Sequence, residues 1–211
     1  MVQKTLEGAF SENYPMILIF TIVIVSIRIA YLIVHKEKFV FYKEMLMLAS
    51  LLYALILFYV VTFQDENYGT NNFIPFHEIF RYEFGTFYFI RNILGNILLF
   101  IPFGYFVSRV LKTRKPYAML IISLITSVVI EITQLLIGRT FDVDDIILNL
   151  IGGLLGFLLY VFIYFMENKF PKVFSTNIFK NIFVVVSIGL TILLYFTSTL
   201  WGILRWLILI I

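Results

Sequence analysis

Glu131 and Gln134 stand three residues apart in an apolar run, Arg139 follows five residues later, and Asp142, Asp144 and Asp145 come next. On a helix, a spacing of three puts Glu131 and Gln134 on one face. A charged side chain in hydrocarbon costs ~2.5–3.5 kcal/mol on insertion scales, so Glu131 has to be protonated, paired or open to water. Arg91 and Arg139 are the cations within its reach. A carboxyl group so placed can act as a general acid or base, with Asp142 and Asp145 orienting a substrate. Asn92 and Asn96 are four apart, as are Asp145 and Asn149, so each pair shares a helix face. The candidate set is therefore Glu131 as the catalytic group, with Arg91, Asn92, Asn96, Gln134, Arg139, Asp142, Asp145 and Asn149 binding the ligand.

Each residue also has a structural reading. Buried Asn, Gln and Glu hold membrane helices together through hydrogen bonds of ~0.5–2 kcal/mol, with no chemistry attached. That reading weighs as much as function for Asn92, Asn96 and Asn149. For Glu131 with Arg139 function weighs more, because an ionisable group inside a membrane is expensive to keep. Asp142 and Asp145 are placed to cap a helix and favour its positive end. A Ca²⁺ or Mg²⁺ cage needs ligand spacing that this acidic run does not specify. No metal and no cofactor is expected. The absence of cysteine removes disulfides and thiolate ligands, and His35 and His77 cannot assemble a catalytic triad. Gly152, Gly153 and Gly156 read as a helix contact, since no strand precedes them to make a phosphate loop.

The elements that position these residues follow from composition. Of 211 residues, 61% are hydrophobic and 14% charged, with a mean hydropathy of +0.97, which excludes a water-soluble fold. Apolar runs near the ~20 residues that cross a bilayer occur at Tyr14–Val34, Glu44–Phe63, Phe89–Leu111, Tyr117–Gly138, Asp145–Met166 and Phe179–Trp201. The expected fold is all-α, a polytopic helical membrane protein of six spans. Five to seven bracket the count, because Gly202–Ile211 stays apolar. No segment alternates with period two, which excludes a barrel. Pro102 and Gly104 interrupt the third span and predict a kink there. Arg28, inside the first span, is expected to snorkel or pair within the bundle.

Lys36, Lys38 and Lys43, then Arg109, Lys112, Arg114 and Lys115, then Lys169, Lys172 and Lys180 fall in alternate loops, which the positive-inside rule assigns to the cytoplasm. Both termini and the candidate set then lie on the extracytoplasmic side, with Glu131 on the order of 10 Å below its helix end. The net charge of +3 is dispersed between apolar runs, so nucleic acid is not an expected partner. The loop Gln64–Tyr88 is rich in aromatics and too apolar at Asn72–Phe76 to be freely solvated. It is expected to lie in the outer interface.

The order and spacing of Asn72-Phe-Ile-Pro-Phe76, Asn92-Ile-Leu-Gly-Asn96, Pro102-Phe-Gly104, Glu131-Ile-Thr-Gln134 and Arg139-Thr-Phe-Asp142-Val-Asp144-Asp145, running on to Asn149 and Gly152-Gly153, resembles the VanZ-like family. The resemblance spans about Asn72 to Phe157 and suggests a division into a two-helix flank (1–71), a VanZ-like core (72–166) and a C-terminal helix with an apolar tail (167–211). It implies a bacterial plasma-membrane protein of a kind associated with resistance to teicoplanin-type glycopeptides.

Three mechanisms fit the residues. A binding or envelope-modifying module would use Arg91, Arg139 and the aromatic loop to hold an anionic membrane lipid or lipid-linked cell-wall precursor. An intramembrane enzyme would act on a phospholipid-type bond through Glu131 with Asp142 and Asp145, yet no nucleophile is evident. A lipid transporter would need polar groups across the midplane, whereas the set is expected to stop on one side.

Overall fold

The structure is a computed structural model that describes residues 2–63 and 70–190, with the side chains of 15, 17–60, 70–90 and 92–190. Its described residues form helices α1 (Val2–His35), α2 (Phe41–Phe63), α3 (His77–Arg81), α4 (Gly95–Leu111), α5 (Pro116–Leu136), α6 (Val143–Lys169), α7 (Pro171–Phe174) and α8 (Asn177–Leu190). Among them no strand occurs, only an isolated parallel bridge between Asn72 and Asp142. The protein is all-α, as the apolar runs require.

Five helical stretches among the described residues are long and apolar enough to cross a membrane: Ile17–His35, Phe41–Val60, Asn92–Leu111, Pro116–Leu136 and Val143–Lys169. They coincide with the first five expected spans. The sixth begins as α8, and its continuation to Trp201, like the tail Gly202–Ile211, lies outside the described residues. The third span opens with something the apolar pattern did not reveal, a π-helical turn at Phe89–Leu94 that precedes α4. The loop before it is also more ordered than expected, since it contains α3.

Local chemistry sets the helix boundaries. Pro116 stands at the first turn of α5, where its missing N–H costs nothing. Lys112 ends α4 in the left-handed region at φ 50. At the end of α5, Gly138 takes φ 87, its N–H donates to Leu135 (3.2 Å), and the Arg139 N–H donates to Gln134 (2.9 Å). This pair of bonds is a Schellman motif, which needs a residue without a Cβ penalty at Gly138.

The chain divides into two compact units. One comprises Ile22–Leu48 and Met166–Ile211. Within it Arg28 forms a forked pair with Glu44, Nε to Oε2 at 2.7 Å and Nη2 to Oε1 at 3.1 Å. Arg28 thus pairs within the bundle, one of its two expected fates. The other unit comprises Met1–Thr21 and Ala49–Phe165. In it α4 and α6 approach until their backbones touch: a Cβ on Gly104 would enter the Gly153 carbonyl, and one on Gly156 the carbonyl of Ile101. The Gly152–Gly156 spacing serves helix contact, as expected. The Tyr53 hydroxyl donates to the Leu99 carbonyl at 2.8 Å and ties α2 to α4.

Candidate functional site

The Schellman turn folds the chain back so that Arg139 stands beside the last turn of α5. There the Arg139 guanidinium donates from Nη1 to Gln134 Oε1 (3.1 Å), and Gln134 Nε2 donates to Glu131 Oε1 (3.0 Å), with the amide orientation that its neighbours require. The second Glu131 oxygen accepts the backbone N–H of Asp142 at 2.9 Å. Glu131 is 1% exposed. The structure thus reaches Arg139 from Glu131 through Gln134, and gives the carboxyl group a peptide N–H as its other partner.

The acidic run performs three different tasks. Asp142 caps α6 by accepting the Asp144 N–H (2.8 Å), and its Oδ1 also accepts from Asn72 Nδ2 (2.8 Å). The Asn72 N–H donates to the Phe141 carbonyl (2.8 Å) and the Val143 N–H to the Asn72 carbonyl (3.1 Å), which completes the bridge between loop and helix start. Asp144 accepts the backbone N–H groups of Phe76 (2.5 Å), Glu78 (2.7 Å) and Ile79 (3.2 Å). Asp145 accepts from Asn96 Nδ2 and joins α6 to α4. Capping, expected of both Asp142 and Asp145, belongs to Asp142 alone.

Electrostatics follow from this crowding. Burial pushes the Asp142 carboxyl above its ordinary value of 3.8; the Asp144 N–H and the Asn72 amide oppose the shift, and the charges of Asp144 and Glu78 add to it. Burial likewise raises the Tyr82 phenol, against its hydrogen bond with Asn92.

Of the expected site residues, the structure brings Glu131, Gln134, Arg139 and Asp142 into one connected network, and it pairs Asp145 with Asn96. Asn92 faces Tyr82. Asn149 lies deeper, its Nδ2 donating to Ser127 Oγ at 2.9 Å while its Oδ1 is buried without a partner. The side chain of Arg91 lies outside the described residues. Sequence reasoning missed the roles of Asn72, Asp144 and Ser127. The first two act on or through backbone groups about 70 positions away, which no local spacing reveals. Ser123 and Ser127 are 0% exposed on the α5 face that carries Glu131, so buried hydroxyls, which the apolar pattern did not single out, continue that face toward the middle of the helix. Hydroxyls are small enough to continue it without interrupting the helix.

Residues 45–165 match the VanZ/LLP1 family, a range that nearly coincides with the Ala49–Phe165 segment of the unit holding the site. Protein VanZ of Enterococcus faecium is 36% identical over 72 residues, 33% of this chain and 44% of that protein. The chain therefore matches less than half the length of this relative. No solved structure matches. With more than half of its residues inside the family match, and with the site carried by helices long and apolar enough to cross a bilayer, this chain is a membrane protein belonging to the VanZ/LLP1 family.

Proposed function

We propose that the protein works in the bacterial plasma membrane as a binding module for an anionic, lipid-linked component of the cell envelope, such as a cell-wall precursor, and that this binding links it to resistance against teicoplanin-type glycopeptides. The site and both termini lie on the extracytoplasmic side in this reading, with the Lys- and Arg-rich loops in the cytoplasm. The observation that carries it is how the carboxyl groups are used. Glu131, Asp142, Asp144 and Asp145 all accept internal hydrogen bonds that build the site. The chain that leaves this network carries the half-buried Arg139, with Nη1 on Gln134, and two residues further on Phe141, whose ring stacks on Phe73 at 5.3 Å. A planar cation beside an apolar surface suits an anionic headgroup on a lipid tail. Glu131 is 1% exposed, so catalysis by its carboxyl would first require substrate or water to reach it.

Mass spectrometry of lipids that co-purify with the native chain and with Arg139→Ala tests the reading. The native chain is expected to carry anionic envelope lipid that the variant loses, and teicoplanin susceptibility of a sensitive Gram-positive host is expected to shift only with the native chain. If Arg139→Ala alters neither measurement, the headgroup site is misplaced.

A further inference from the structure

The segment Asn72–Arg81 is fastened to the start of α6 at two points. Asn72 holds Asp142 with its side chain and forms the bridge with Phe141 and Val143 through its backbone. Asp144, 1% exposed, gathers three backbone N–H groups from Phe76, Glu78 and Ile79. Phe76, at the second of these points, adopts φ 67, a left-handed conformation that a bulky residue keeps only where its surroundings impose it.

What the fastening displays is apolar. Phe73, Ile74, Phe76 and Phe80 are 67%, 65%, 50% and 83% exposed. Withdrawing each such side chain from water is favourable in proportion to the apolar area it buries. The segment's polar groups are paired separately, Arg81 Nη1 with Glu78 Oε1 at 3.0 Å. The attachment also lies where α5 ends at Leu136 and α6 begins at Val143, the shared end of two helices long and apolar enough to cross a membrane, where a bilayer's hydrocarbon would give way to headgroups. Leu136 and Ile137 at that end of α5 are 80% and 45% exposed, so apolar side chains are displayed there by the helix as well as by the segment.

We propose that Asn72–Arg81 is a bilayer anchor whose Phe73, Ile74, Phe76 and Phe80 enter the acyl chains of the leaflet bordering the site, and that Asp144 and Asn72 are the positioning residues that hold it in that conformation. The ligand chemistry is the acyl chain of an ordinary phospholipid, so the anchor goes beyond the headgroup reading and does not depend on it.

The cysteine-free sequence supplies the test. Phe80→Cys carrying an environment-sensitive fluorophore is reconstituted in vesicles of phosphatidylcholine alone, which offer no anionic headgroup. A spin label at a shallow acyl position is expected to quench the fluorophore several-fold more than aqueous iodide does. Asp144→Asn should reverse that order, while the same fluorophore at Ile132→Cys, on the lipid-facing side of α5, stays lipid-quenched and reports an intact fold. Should Asp144→Asn fail that control, Asn72→Ala takes its place with the same expected direction. Stronger iodide quenching at position 80 in the otherwise native chain overturns the proposal. So does unchanged lipid quenching in a folded variant. Anionic lipid that co-purifies equally with Arg139→Ala and with the native chain, beside normal acyl-chain quenching here, would instead count against the headgroup reading alone.

Discussion

Glu131 of α5 and the backbone N–H of Asp142 meet at 2.9 Å, so the carboxyl group buried in one span fixes the residue that caps the next. Removing it strands a donor. Glu131→Ala leaves that N–H and the Gln134 amide without their acceptor, and a loss of ~1–3 kcal/mol is expected. Glu131→Gln keeps one acceptor and should lose less. Thermal unfolding in detergent ranks the three chains; equal losses for Ala and Gln would show that the bond contributes nothing. The Gln variant also separates mechanisms: if it retains envelope lipid yet abolishes a turnover, the protein is an enzyme.

Asp142 gives a pH dependence whose sign is fixed. Its carboxyl is raised above 3.8 by burial, so the folded chain keeps a proton that the unfolded chain has released. The resulting stability is full below 3.8 and is lost as pH rises through the folded value. Asp142→Asn cannot titrate and caps a helix about equally well. Unfolding temperatures taken across the acidic range should vary less with pH in this variant, and an unchanged slope would assign the titration elsewhere.

The seam between α4 and α6 has no room for a methyl group. Gly156→Ala would drive its Cβ against the Ile101 carbonyl and the Tyr105 nitrogen, at a cost of ~1–3 kcal/mol or more for overpacking. Gly85→Ala meets nothing within 4 Å, though at φ 80 it strains the backbone, and should cost ~1 kcal/mol. Denaturation in detergent should place Gly156→Ala as the more damaging change; the reverse order would mean that the seam yields.

Orientation is checked by labelling from one side. Phe84→Cys, at a position 90% exposed, is expected to react with an impermeant maleimide added to intact cells, and Arg114→Cys only after the membrane is opened. The opposite pattern inverts the topology.

The spans were legible because about 20 apolar residues in a row leave a chain few alternatives in water. Glu131, Gln134 and Arg139 were legible as a group because helical spacing and the cost of a buried charge both point to them. Their partners were not. Charge reasoning looks for a cation beside Glu131, whereas the fold supplies the N–H of Asp142, and every residue carries such a group. Nor does the sequence distinguish Asp142, Asp144 and Asp145, whose tasks differ because successive helix positions face a loop segment, a short helix and α4. The π-helical turn at Phe89–Leu94 left no mark in an apolar pattern that continues through it.

The contact of Gly104 with Gly153 joins two helices that are not consecutive in the chain. During synthesis α4 must therefore wait in the lipid while α5 is threaded, and this joint closes only once α6 has left the insertion machinery. A bulkier residue in that joint should register first as an unfinished assembly removed by membrane proteases, before any fully built protein exists whose ligand binding could be measured.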